Sequence, residues 1–306
     1  MAQGIHESGA GLDLEVDECP VADGGEGTAD VLLKAVGGRE VSTTAGDPLG
    51  RRITAGFSLL ADGSVAVVET AAASGLGLVE AGRRDAVEAS SAGTGELMLA
   101  AARSGADRIL LAVGGTATTD GGHGAIEAIE AGGGLGGVDL VIFADVETAF
   151  EDAAAVFGPQ KGANADEVRL LTSRLIEMAG RLPKPPLGVR RTGAGGGIAG
   201  GLWARYGAEV VSGADYVLDA IDFSSRLERC DRVLVGEGQL DSQSLDGKVV
   251  GQILRRATEA GRPCHAIAGR CRLDDVELEQ AGFASVQTAS SLNGIQGAAA
   301  RVALRG

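Results

Sequence analysis

Five carboxylates lie in three glycine-rich loops: Asp23 and Glu26 in ADGGEGT, Asp120 in GGTATTDGG, and Glu237 and Asp241 in GEGQLDSQSLDGK. A carboxylate on such a loop can hold Mg2+ or take a proton from a hydroxyl group. Aspartate is also good at turns and caps, so each of these residues alone has a second, purely structural reading. The glycines add another chemistry. A glycine loop that opens a helix presents unpaired backbone N–H groups at the positive end of the helix dipole, which suits an anion. Both ADGGEGT and GGTATTDGG have that form, with a tight turn as the alternative. A fourth polar loop, FGPQKGA, carries Lys161.

These loops need elements to position them. TADVLLKAVGG predicts a helix with Thr28 as N-cap, Val31, Leu32 and Ala35 on one face, and Gly37 or Gly38 as the stop. GTGELMLAAARSGA repeats the scheme, with Thr94 as cap and Gly105 as stop, and leads into RILLAV, an apolar run suited to a strand buried on both faces. Further strands are expected at 65–70, 139–146, 232–238 and 264–270, and in LEVDECPV ahead of the first loop. Helices are expected at 165–181 and 248–260. Strands alternating with helices mean an α/β fold with mostly parallel sheets. In such sheets ligands bind beyond the carboxyl ends of the strands, where the acidic loops stand.

At 306 residues the chain has room for two domains or one large α/β domain. Fifty residues are glycine, more than twice the background of about 7%, without a collagen period, so the fold must contain many tight loops. A net charge of −15 argues against a nucleic-acid partner, which needs a basic face, and requires local cations or a metal for any anionic substrate. No apolar run is long enough to span a membrane, and MAQGIHESGAG has no signal pattern, so the expectation is a soluble cytoplasmic protein. Cys19, Cys230, Cys264 and Cys271 are scattered and read as ordinary thiols. The phosphate-loop pattern GxxxxGK[ST], a strand-borne GxGxxG, the protein-kinase signatures and the GxSxG elbow are all absent. His123, in DGGHG, is read as a bystander.

Eight segments, in order, carry a resemblance: PVADGGEGTADVL, GDPLGR, ETAAASGLGLV, SSAGTGELM, VGGTATTDGGHG, VFGPQKGA, GAGGGIAGGL and GEGQLDSQSLDGK. Together they cover nearly the whole chain from about residue 12, and the chain resembles the bacterial two-domain glycerate kinases. The resemblance implies phosphorylation of D-glycerate by ATP with Mg2+, usually at the 2-hydroxyl. It also implies a Rossmann-like parallel-sheet domain, 1–43 plus 216–306, interrupted by a second α/β domain, 44–215, with the active site in the cleft. Asp241 would be the base or hydroxyl-orienting group, and Lys161 and Lys248 the positive partners of phosphate or carboxylate. Asp23, Gly24, Gly25, Glu26, Gly27 and Thr28 would face the cleft. Gly114, Gly115, Thr116, Asp120 and Gly121 would line the phosphates or the substrate, with Glu237 and Gly238 beside them. Asp23, Glu26 and Asp120 would hold the metal, and a homodimer is a further possibility.

The chain departs from the family pattern in two places. The family opens with a strand and a PDSFKG-like loop, whereas the first residues here resemble the end of the following helix, its stop at Gly9, and the second strand. The expectation is a chain less stable and less active than one with that unit restored. At 144–150, where the family has Cys-Asp-Val followed by Asn-Pro-Leu, this chain keeps Asp145 and Val146 but has Ala144, Glu147, Thr148, Ala149 and Phe150. That change leaves room for another small hydroxy acid as substrate. A relative that binds nucleotides or anions without turnover is the third reading.

Overall fold

Residues such as Ile109, Leu110 and Leu111, each fully shielded from water, put β4 (Arg108–Ala112) at the centre of a sheet covered on both faces. Burying each such side chain contributes about 1.5–3 kcal/mol relative to leaving it exposed. The computed structural model describes Met1 and residues 15–245 and 248–304. The helix end and Gly9 stop expected near the N-terminus lie outside the described residues, as do Asp246 and Gly247.

Two units divide the chain, Met1–Val21 with Ile221–Gly306, and Ala22–Ala220. The larger unit holds a six-stranded sheet in the order β1 (Gly38–Gly46), β2 (Arg52–Leu60), β3 (Val65–Glu69), β4, β5 (Asp139–Phe143), β6 (Glu209–Val211). β3 to β6 run parallel, and β1 and β2 form an antiparallel hairpin at one edge. The smaller unit holds a parallel sheet of β7 (Val233–Leu240), β8 (Cys264–Cys271) and β9 (Ser285–Thr288). Segment 22–43, expected from the sequence in the first domain, falls in the larger unit. The reason is that Gly38–Gly46 pairs along its whole length with Arg52–Leu60.

The edge hairpin was not expected, because GREVSTTAG carries little apolar alternation. Its turn does have a signal: Asp47 Oδ1 accepts from the backbone N–H groups of Leu49 and Arg51, both at 2.9 Å, in the DPLG turn. LEVDECPV does not form the expected strand, since residues 15–23 have no regular structure. The helix expected to start at Thr94 runs Ala92–Arg103, and Thr94 is buried within it against the hydroxyl of Ser74. Helices Thr28–Val36, Ala165–Ala179 and Val249–Glu259 lie where the sequence expects them. The core of the larger unit joins β4 and β5 to Leu97, Met98, Ile126, Ile129, Ile198 and Leu202 from the helices on one face. Among the described residues no helix is long and apolar enough to cross a membrane.

Candidate active site

The loops that leave β4, β5 and β6 meet the loop of Asp23 at the carboxyl ends of the parallel strands, where α/β sheets bind ligands. The meeting requires glycine. A Cβ at Gly114 would stand 2.6 Å from the Cα of Gly25, and one at Gly213 would stand 2.7 Å from the Cα of Gly24. Gly114→Ala is therefore expected to lower stability by about 1–3 kcal/mol through overpacking, and to reduce turnover as the two loops part. Thermal melts and rates on the variant check this; unchanged values of both would show that the loops tolerate separation.

The anion sites expected at the helix N-termini are already filled by carboxylates of the chain. Helix Thr28–Val36 opens beneath Glu69, whose Oε1 accepts from the N–H of Ala29 at 2.8 Å. Burial raises the Glu69 carboxyl above its ordinary range, and the N–H groups of Ala29 and Gly27 pull it back. Helix His123–Ala131 opens on Asp120. Oδ2 of Asp120 accepts from Ser91 N (2.9 Å), Ser91 Oγ (2.8 Å) and Gly124 N (3.1 Å), while Oδ1 accepts from Gly122 N (3.1 Å). Ser91 Oγ then accepts from Ala125 N at 3.0 Å. With both oxygens engaged, Asp120 serves as a cap at the starts of two helices. Thr28 turns its hydroxyl to the carbonyl of Gly25 at 2.7 Å, Gly27 is left-handed at φ 91°, and Glu26 is exposed. His123 is an exposed partner of Glu127 at 3.3 Å.

Lys161, expected as a positive partner of phosphate or carboxylate, is packed against the loop that follows β4. It is 3% exposed, and its Nζ donates to Thr118 O at 2.5 Å and to Thr116 Oγ1 at 3.1 Å. Burial pushes its ammonium down to about 7, against an upward pull from Asp120. Lys161 holds the 114–121 loop from behind rather than facing solvent. That loop is anchored further where Gly115 O accepts from Leu76 N at 2.7 Å and Gly121 N donates to Gly196 O at 3.1 Å.

Asp145, two residues beyond β5, is the carboxylate with an oxygen to spare. Its Oδ2 accepts from Ala214 N at 3.1 Å, at the start of helix Gly213–Ala220, while Oδ1 is buried and has no hydrogen-bond partner. Burial, reinforced by Asp23, raises its carboxyl to about 6 against the opposing pull of Ser212, Ala214 N–H and Arg191. Arg191 is one of few non-glycine residues with positive φ, at 71°. Its Nε reaches Glu147 Oε1 at 3.1 Å, and Arg190 takes the other oxygen of Glu147 at 2.6 Å. Sequence reasoning noted Asp145 and Glu147 but left them outside the site, because the RRTG turn that supplies Arg191 lies 44 residues further on. The available signal was the position of Asp145, directly after an apolar strand.

The smaller unit holds the remaining candidates. Asp241 Oδ2 accepts from Gln239 Nε2 at 2.8 Å and Oδ1 from Ser244 N at 3.1 Å, which keeps its carboxyl below the usual range. With Gln239, Arg272 and Glu277 it lines a cavity of about 450 Å3. Lys248 is the N-cap residue of helix Val249–Glu259 and also draws the Asp241 carboxyl down. Glu237 Oε1 accepts from the neighbouring Gly238 N at 3.1 Å. All four cysteines are free, and burial pushes the Cys264 thiol up to about 12.

The chain is similar to known proteins over nearly its whole length. The glycerate kinase family matches residues 1–134 and 131–302. The glycerate kinase of Bacillus subtilis (strain 168) is 38% identical over 299 residues, covering 86% of this chain and 78% of its own. The glycerate 2-kinase of Escherichia coli (strain K12) is 35% identical over 309 residues, covering 90% and 81%. A crystal structure assigned to glycerate kinase 2 of Salmonella typhimurium LT2 superposes with a TM-score of 0.79 at 30% identity, covering 99% of this chain and 92% of that one. An α/β chain with this order of loops, matched by family and by structure over nearly its whole length, belongs to the glycerate kinase family and is a phosphotransferase.

Proposed function

We propose that the protein transfers the γ-phosphoryl group of ATP to D-glycerate, at the 2-hydroxyl. The observation that carries the reading is the convergence of the Gly24–Gly25, Gly114 and Gly213 backbones on the Asp23 and Asp145 carboxylates at the strand ends. It is supported by the relatives named glycerate kinase and glycerate 2-kinase. Phosphoryl transfer asks the protein for positioning and charge neutralisation more than for covalent chemistry. Backbone N–H groups of the 114–116 loop would cradle the anion, and a carboxylate would orient the attacking hydroxyl.

Magnesium fits this site in one way. No group of three His, Cys, Asp or Glu side chains is placed to hold a metal among the described residues, and Asp120 is engaged. Asp23 and Glu26 remain, and one or two carboxylates suffice for an ion held chiefly by substrate phosphates and water. Bound there, the ion would neutralise phosphate charge. Asp241, Lys248, Glu237 and Gly238 of the other unit keep, as proposals, the roles that the resemblance implies. So does the Rossmann-like reading of that unit.

The test is ADP release with ATP, Mg2+ and D-glycerate, with the product assigned by phosphorus NMR. Glycerate-dependent ADP with 2-phosphoglycerate as product is the expected result. A 3-phosphoglycerate product would overturn the regiochemistry alone. ADP formation that glycerate does not stimulate would move the reading to another hydroxy acid, or to a relative that binds without turnover.

A further inference from the structure

Asp145 and Arg191 each keep polar atoms unused among the described residues. The carboxylates of Glu69 and Asp120 are engaged by helix N–H groups, and Asp47 is engaged by its own turn and Arg51. Among the described residues, Asp145 Oδ1 is shielded from water and has no hydrogen-bond partner. A buried acceptor without a donor is costly, and native structures rarely leave one unless something else completes it.

Arg191 supplies a second and independent sign. A left-handed backbone at a non-glycine residue is strained, and such strain persists where the surroundings hold it for a purpose. Of its guanidinium, Glu147 takes Nε. Among the described residues Nη1 and Nη2 carry no hydrogen bond, and the side chain keeps 33% of its surface exposed. Its bond to Glu147, two residues beyond Asp145, holds the Arg191 guanidinium against the segment that carries Asp145, where it also favours the ionised carboxylate.

We propose that Asp145 and Arg191 form the subsite for a small hydroxy acid, Asp145 Oδ1 accepting a hydrogen bond from the hydroxyl and the Arg191 Nη edge receiving the carboxylate. A hydroxyl is the donor that Oδ1 lacks, and a carboxylate is the planar acceptor that a free guanidinium edge fits in bidentate fashion. Glu147 holds Arg191 in place and competes with the ligand for it. This proposal rests on the phosphotransfer reading above, and it assigns the acceptor's place within it.

The experiment uses the full chain and measures kcat and KM for D-glycerate, for its neutral amide and for ATP. Arg191→Met is expected to raise KM for glycerate about 30- to 100-fold, the range for losing a charged hydrogen-bonded partner, with KM for ATP within about twofold. It should also abolish the preference for glycerate over the amide, which Arg191→Lys should partly restore. Arg191→Gly should raise the Tm while weakening glycerate in the same way, because it releases the backbone strain. Asp145→Asn can keep its bond to Ala214 N through the amide oxygen, so it should fold normally and lower kcat for glycerate. Wild-type turnover with unchanged glycerate constants in Arg191→Met and Asp145→Asn would overturn the subsite. An equal rise in KM for ATP and for glycerate would do so too. A wild-type chain that never turns over glycerate would instead sink the function on which the subsite rests, and the two failures read differently.

Discussion

Asp120→Ala should lower the stability of the chain by about 3–5 kcal/mol, among the largest effects expected of any single substitution here. The carboxylate receives four hydrogen bonds from three residues, two of them on the first turns of different helices. Hydrogen bonds to charged groups contribute about 1.5–3 kcal/mol each and are not additive within one network, so the total stays below their sum. Alanine would strand the N–H groups of Ser91, Gly122 and Gly124 and free the Ser91 hydroxyl, which also serves Ala125 N. Asp120→Asn should cost less, because one amide oxygen can replace Oδ2, while its NH2 would face the Gly122 N–H. Urea midpoints at constant m-value give the comparison. A loss under about 1 kcal/mol for the alanine variant would mean that water replaces the carboxylate, and Asp120 would return to the list of groups free to meet a ligand.

The same residue shows what was legible in the sequence. The buried parallel strands announced themselves through runs such as RILLA and DLVIF, and the helix Thr28–Val36 through its periodicity and glycine stop. That the loop of Gly114 meets the loop of Gly25 is in keeping with loops placed after strands. What each side chain does did not follow, because an aspartate in a glycine loop reads alike whether it caps a helix or meets a ligand. The difference lies in partners far along the chain: Ser91 for Asp120, Ala29 and Glu69 for each other across 40 residues, Arg191 for Glu147. The edge hairpin β1–β2 was missed for a related reason. Its polar residues make a strand only because β3 offers a free edge on which to pair.

Lys161 is expected to make the stability of the wild-type chain rise with pH relative to Lys161→Met. Burial sets its folded pKa at about 7, well below the value of 10.5 that it has in water. Between those values the unfolded chain holds a proton that the folded chain has released, so stability increases with pH across that window. Below about pH 7 both states are protonated and the penalty of burying the ammonium is present in full. The charge that acts on it is Asp120, which favours the ammonium. A neutral amine keeps two hydrogens, enough for both Thr118 O and Thr116 Oγ1, so the loop need not open as the proton leaves. Methionine fills the space without donating, which strands the Thr118 carbonyl at a cost of about 1–3 kcal/mol and removes the buried charge. The net change in Tm near pH 6.5 should therefore be small, while turnover falls by about tenfold or more as the 114–121 loop loosens. Denaturation midpoints of the two proteins from pH 6 to 9.5 should diverge in favour of the wild type. Parallel curves would show that the lysine titrates as it does in water, and would return it to the surface as a direct partner for phosphate.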